Sequence, residues 1–160
     1  MTASSHDGTN LSFADEYAMY KIRIVDASDD DVADTLADLH QSTFFGAAAM
    51  PRFDLGAWWL AYRGDDAVAF AGVMPSTHVR NCGYVSRVGV LRRHWGHGLQ
   101  IRLMRAIEAQ GRRMGWDSVV SDTTDNPVSA NNFIQAGYRL YEPEVPWAWS
   151  HTLYWRKWLR

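Results

Sequence analysis

The stretch Val88-Gly89-Val90-Leu91-Arg92-Arg93-His94-Trp95-Gly96-His97-Gly98-Leu99-Gln100 decides how this chain folds, because a β-branched run enters a glycine-bearing loop that opens a helix. The N–H groups of a helix's first turn have no partner inside the helix and lie at the positive end of its macrodipole. Main chain alone can therefore hold a pyrophosphate there. Gly96 and Gly98 permit backbone angles and a close approach that a side chain would forbid. Glycines ahead of a helix also merely shape turns, so the loop needs a second pattern elsewhere in the chain.

Behind the loop, Leu103, Met104, Ile107 and Met114 recur at helical spacing, Arg102, Arg105, Arg112 and Arg113 fall elsewhere, and Gly115 ends the helix. Ahead of it, Lys21 to Val25 alternates as a half-buried strand. Ser28-Asp29-Asp30-Asp31 then caps a helix carrying Val32, Leu36, Leu39 and Phe44. Gly46 to Gly56 reads as a short helix and loop. Trp58–Tyr62 and Ala67–Val73 form a hairpin across Arg63-Gly64-Asp65-Asp66, and Gly83 to Val90 continues the meander. Ser118 to Ser121 is a strand, and Asn126-Pro127 with Ser129 opens a helix that Gly137 ends. Strands follow at Tyr138 to Tyr141 and within Leu153 to Leu159. The expected order is one strand, two helices, three strands, a long helix, a strand, a helix and two strands.

A chain of 160 residues fits one domain at 18–160 and buries roughly two thirds of its unfolded surface. Residues 1–17 lack apolar periodicity and read as a mobile tail. With 16 Lys+Arg against 18 Asp+Glu, the net charge of -2 gives no footprint for duplex nucleic acid or an anionic membrane. No run approaches the roughly 18 apolar residues of a membrane span, and the start lacks the basic and apolar regions of a secretory signal. Cys82, the only cysteine, excludes an internal disulfide and reads as a buried hydrophobe. These features together give the expectation of a cytoplasmic protein. Trp147, Trp149, Tyr154, Trp155 and Trp158 read as core or homodimer-interface packing, with lining of a substrate pocket as the lesser reading.

Asn126, Ser129, Phe133 and Gly137-Tyr138 supply the second pattern. Together with the loop they make residues 20–160 resemble the GNAT superfamily of N-acetyltransferases. That family's loop reads Gln or Arg, two residues, Gly, one residue, then Gly or Ala. Arg93 to Gly98 matches literally, but this register would turn Arg102 into the core. Shifting the loop to Trp95-Gly96-His97-Gly98-Leu99-Gln100 puts Leu103, Met104 and Ile107 there instead. It leaves Trp95 in place of a basic or amide residue and Gln100 in place of a small one.

The resemblance implies an α/β (α+β) fold with a mixed, mostly antiparallel sheet of about six or seven strands and about four helices. It implies acetyl-CoA as co-substrate, no metal, and transfer of acetyl to a primary amine of a small molecule or peptide. Coenzyme A is then held by Val88, Gly89, Val90, Trp95, Gly96, His97, Gly98, Leu99 and Gln100, and by Asn126, Ser129, Asn132 and Phe133. Asn126 stands where the family binds the pantetheine arm. Phe133 stands where the family commonly has a Tyr acid, and it has no proton to give. Tyr138, Tyr141 and Glu142 are the remaining catalytic candidates, with Glu144, Asp122 and Asp125 as further acids near the acceptor side.

Other readings compete. A CoA-binding regulatory or interaction domain with little turnover accommodates Phe133, Trp95 and Gln100. A doubly wound nucleotide-binding domain would place its glycine loop after the first strand, whereas this one follows several. A nucleic-acid docking face built on the arginines meets the near-neutral charge. His40, His78, His94 and His151 lack metal-ligand spacing.

Overall fold

The computed structural model describes residues 11–160. Its elements are α1 (Phe13–Ala18), β1 (Tyr20–Val25), α2 (Asp30–Phe44), β2 (Ala57–Arg63), β3 (Asp66–Pro75), β4 (Cys82–Val90), α3 (Leu99–Met114), β5 (Ser118–Thr123), α4 (Pro127–Gln135), β6 (Arg139–Leu140) and β7 (Leu153–Trp158), with a 3-10 turn at Arg92–His94. Seven strands form one sheet in the order β1-β2-β3-β4-β5-β7-β6, and every pairing is antiparallel except β4 with β5.

Each face of the sheet is covered by helix. Along β2, Trp58 and Leu60 pack with Leu36 and Leu39 of α2, while Trp59 and Ala61 join the core under α3. Burial on both faces explains why this strand reads as a continuous apolar run. Under α3 the core takes Leu103, Met104 and Ile107, all fully buried; each contributes about 2 kcal/mol of hydrophobic burial. Gly115, at φ 75°, ends α3 as its N–H bonds Arg112 O while Trp116 N bonds Gly111 O.

Two sequence expectations change. Residues 13–17 of the expected tail belong to α1, which runs on to Ala18. Arg102 holds it by donating to the carbonyls of Tyr17 and Tyr20, both at 3.0 Å, with its guanidinium 3.8 Å from the Tyr17 ring centroid. Residues 1–10 of that expectation lie outside the described residues. The short helix expected between Gly46 and Gly56 is a series of turns, with both of these glycines at φ 77°.

The parallel pair β4 and β5 positions the site. Only Cys82↔Ser118, Gly83↔Val119 and Tyr84↔Val120 are in register. Beyond Tyr84 the register of β4 on β3 slips, with Val73 opposite Val85 and Gly72 opposite Arg87, so Ser86 is the extra residue of a bulge. From there the two strands part, and the edge of β4 from Ser86 to Val90 has no β5 partner.

Candidate functional site

The split between the strands is filled from below by α3 and α4. A cleft of about 480 Å³ opens there, lined by Val88, Gly89 and Val90 of β4, by Trp95, Gly96, Gly98, Leu99 and Gln100 of the loop and first turn of α3, and by Asn126, Ser129 and Asn132 of α4. These eleven are all residues expected from sequence. The lining also takes in Thr43 and Phe44 at the end of α2, together with His94, Ile101, Val128 and Gln135. No local pattern marks Thr43, and Phe44 reads only as an apolar position of its helix, because the packing of α2 on β4 is what brings them to the cleft; His94 lies inside the opening stretch and reads there as a surface or structural residue.

The loop is built to leave its N–H groups facing outward. Gly96 and Gly98 adopt φ 83° and 70°, the left-handed region that disfavours side chains, and a Cβ on either would meet no atom within 4 Å. Gly98 is the N-cap of α3, and the first helical bond runs from Arg102 N to Gly98 O at 3.1 Å. Leu99, Gln100 and Ile101 therefore lack intrahelical acceptors for their N–H groups. The main-chain angles, the open space and the free donors all fit a phosphate-bearing ligand.

Side chains brace this cradle. Trp95 donates its Nε1–H to Val90 O at 2.9 Å and keeps half its surface exposed. Asn132 Nδ2 donates to Gln100 Oε1 at 2.6 Å and ties α4 to the first turn of α3. Gln100, in place of a small residue, thus clamps two walls together. Asn126 Oδ1 accepts from Ser129 N at 3.0 Å and caps α4, which leaves its NH2 group for other acceptors. His94 is buried, with Nδ1 2.9 Å from Tyr20 OH, and burial followed by the neighbouring Arg93 charge lowers its pKa.

Two expected cofactor residues stand apart from the lining. Phe133 is buried, stacked on Trp155 and edge-on to Tyr138, because its position on α4 faces the core. His97 is exposed and packs against Tyr20, so only its main chain belongs to the loop. Tyr138 is likewise buried, and its hydroxyl has no partner among the described residues; burial and the Glu108 charge raise its pKa well above the ordinary phenol value. Tyr138 is not among the residues that line the cleft. Tyr141 is half-buried, with burial pushing its pKa up to about 12, while Glu142 and Glu144 are exposed.

On β5, past its last pairing with β4, Asp122 accepts from Tyr84 OH at 2.6 Å and from Trp147 Nε1–H at 2.9 Å, both at Oδ2. Burial first, and then the Asp122 charge, raise the Tyr84 pKa far above its ordinary value, so the phenol keeps its proton. Asp125 instead reaches His151 Nε2 at 3.0 Å on the surface. Of the aromatic group near the C-terminus, Trp155 and Tyr154 are buried, whereas Trp149 and Trp158 are exposed. Among the described residues no three metal-ligating side chains gather, and no helix is long and apolar enough to cross a membrane.

A mixed sheet split between two parallel strands, with an open helix N-terminus at the split, defines the acetyltransferase class of folds. The chain belongs to the acetyltransferase (GNAT) family, whose model matches residues 17–138. Solved structures agree. A Salmonella typhimurium protein, determined with its cofactor acetyl-CoA, aligns at TM-score 0.65 with 17% identity, covering 89% of this chain and 95% of its own. N-acetylglutamate synthase from Neisseria gonorrhoeae, determined with coenzyme A and N-acetyl-glutamate, aligns at 0.69 with 14% identity, over 88% of this chain and 35% of its own. IAA acetyltransferase from Bacillus cereus aligns at 0.67 with 12% identity, over 87% and 99%. At these identities the likeness is one of fold. No curated protein sequence matches the chain.

Proposed function

We propose that this protein is an acetyl-CoA-dependent N-acetyltransferase that acylates a primary amine by direct attack. The reading rests on one observation: the unpaired edge of β4, the free N–H groups of α3 and the Asn126 amide face a single cleft. Leu99, Gln100 and Ile101 N–H groups take the pyrophosphate. Asn126 and Asn132 lie along the arm that follows it, and the β4 edge at Val88 to Val90 offers N–H donors to the thioester carbonyl. The amine, once its ammonium has lost a proton, forms the C–N bond as the C–S bond breaks. Coenzyme A leaves as thiolate and the amide nitrogen yields its second proton.

Phe133, on α4, has no proton to give to the thiolate, and Tyr138, just past α4, is buried. A thiol with a pKa of about 8.5 leaves tolerably as an anion, so the missing acid costs about 10²- to 10⁴-fold in rate. The absence of that acid favours a second reading, a CoA-binding regulatory domain with little turnover. Incubation with acetyl-CoA and a panel of amines, following free thiol, separates the two. Turnover that no amine raises above the hydrolysis background overturns the enzyme reading.

A further inference from the structure

We infer that Asp122 and the aromatic side chains around it form the acceptor's subsite, and that the acceptor is a monoammonium compound with a flat apolar body. This rests on the acetyltransferase reading and names the substrate class of the same site. The argument begins with an uncompensated charge. Asp122 is half-buried, its two donors are a neutral phenol and a neutral indole, and among the described residues it forms no ion pair. Those bonds fix the carboxylate through Oδ2 without neutralising it. Among the described residues no donor reaches Oδ1, which therefore remains for a cation from outside.

The second observation is the wall. Trp147 is clamped by the stacked His78 ring at 4.7 Å and by the edge of Tyr154 at 4.6 Å, and Tyr154 OH accepts the Trp147 and Ala148 N–H groups. Aromatic side chains fixed in this way make an apolar wall beside the carboxylate, which suits a flat apolar body next to the ammonium. The third is position. Asp122 lies two residues beyond Val120, the last residue of β5 paired with β4, so it stands just past the point where the strands part.

The pairing also limits what else the acceptor carries. Arg87 and Arg156, whose charges act on Tyr84 and Tyr141, are engaged elsewhere. Arg87 donates to His40 Nε2 and Ala49 O, while Arg156 donates to Ser118 Oγ and lies 3.9 Å from the Trp158 ring centroid. An acceptor carboxylate finds no uncommitted partner in them, which disfavours amino acids.

The test is calorimetric titration of the full chain without acetyl-CoA, using 2-phenylethylamine, its neutral counterpart 2-phenylethanol, and spermidine. The amine is expected to bind at least about tenfold tighter than the alcohol, and Asp122→Asn to lose that preference while keeping the wild-type thermal shift with CoA. Trp147→Leu is expected to weaken the amine several-fold, and it decides the matter if Asp122→Asn does not fold. No binding of 2-phenylethylamine, equal binding of amine and alcohol, an unaffected Asp122→Asn, or tighter binding of spermidine overturns the inference. A wild-type chain without a CoA shift instead overturns the cofactor reading, which the amine titration does not depend on.

Discussion

Ser121 Oγ donates a hydrogen bond to Val85 O at 3.0 Å, one residue beyond the last pairing of β4 with β5. A buried side chain thus carries the sheet one step past the point where its main chain divides. Ser121→Ala removes the donor from a buried carbonyl and is expected to cost about 1–2 kcal/mol. For a chain of this size the unfolding midpoint falls by about 3 to 6 °C, measured by calorimetry. An unchanged midpoint shows that the division needs no such tie.

Gly98 is the place where conformation and ligand binding meet. At φ 70° a valine is strained by about 1–2 kcal/mol, and its side chain projects into the open space beside the free N–H groups. Saturating CoA, at about 100 times Kd, is expected to raise wild-type stability by about 2.7 kcal/mol. Gly98→Val is expected to fold and to lose that gain in a thermal-shift measurement. A retained shift places the cradle elsewhere.

The sequence reveals most where structure is local. The turn at Gly64-Asp65, the caps at Asp29 and Gly115, and the core face Leu103, Met104 and Ile107 follow from spacing a few residues long. That face puts the helix in the shifted loop register, with Arg102 turned away to α1. What spacing cannot give is contact across the chain. α1 is held by Arg102 from over eighty residues away, Tyr84 meets Asp122 across 38, and Trp147 meets it across 25. Phe133 shows the converse. Its motif position was legible, but the stack on Trp155 that turns its ring into the core depends on β7.

His40 ties acid stability to the wall of the cleft. It is buried against Phe44, accepts from Arg87 Nε at 3.2 Å, and has its pKa lowered from 6.5 by burial and then by the Arg87 charge. The unfolded chain takes up the proton first as pH falls. The stabilising effect of the neutral ring is therefore complete above about 6.5 and is lost progressively below it. Urea midpoints at pH 7.5 and 5.5 are expected to differ, and His40→Gln is expected to narrow the difference, with the likewise lowered His94 supplying the remainder. An identical difference in the variant assigns the effect to other groups.

Glu108 on α3 is almost wholly buried, and its charge is met by Lys157 of β7, which also donates to Ala136 O at 2.7 Å at the end of α4. One ammonium thus joins three elements beneath the cleft. Lys157→Met leaves a buried carboxylate without its cation and is expected to cost about 3–5 kcal/mol, because the desolvation of Glu108 is no longer offset. The double variant Glu108→Leu with Lys157→Met removes both charges and fills the space, so most of that loss is expected to return. Denaturant unfolding of the wild type, both single variants and the double variant measures the coupling directly. Additive losses show that the two side chains act independently, and the pair then does not hold α3, α4 and β7 together.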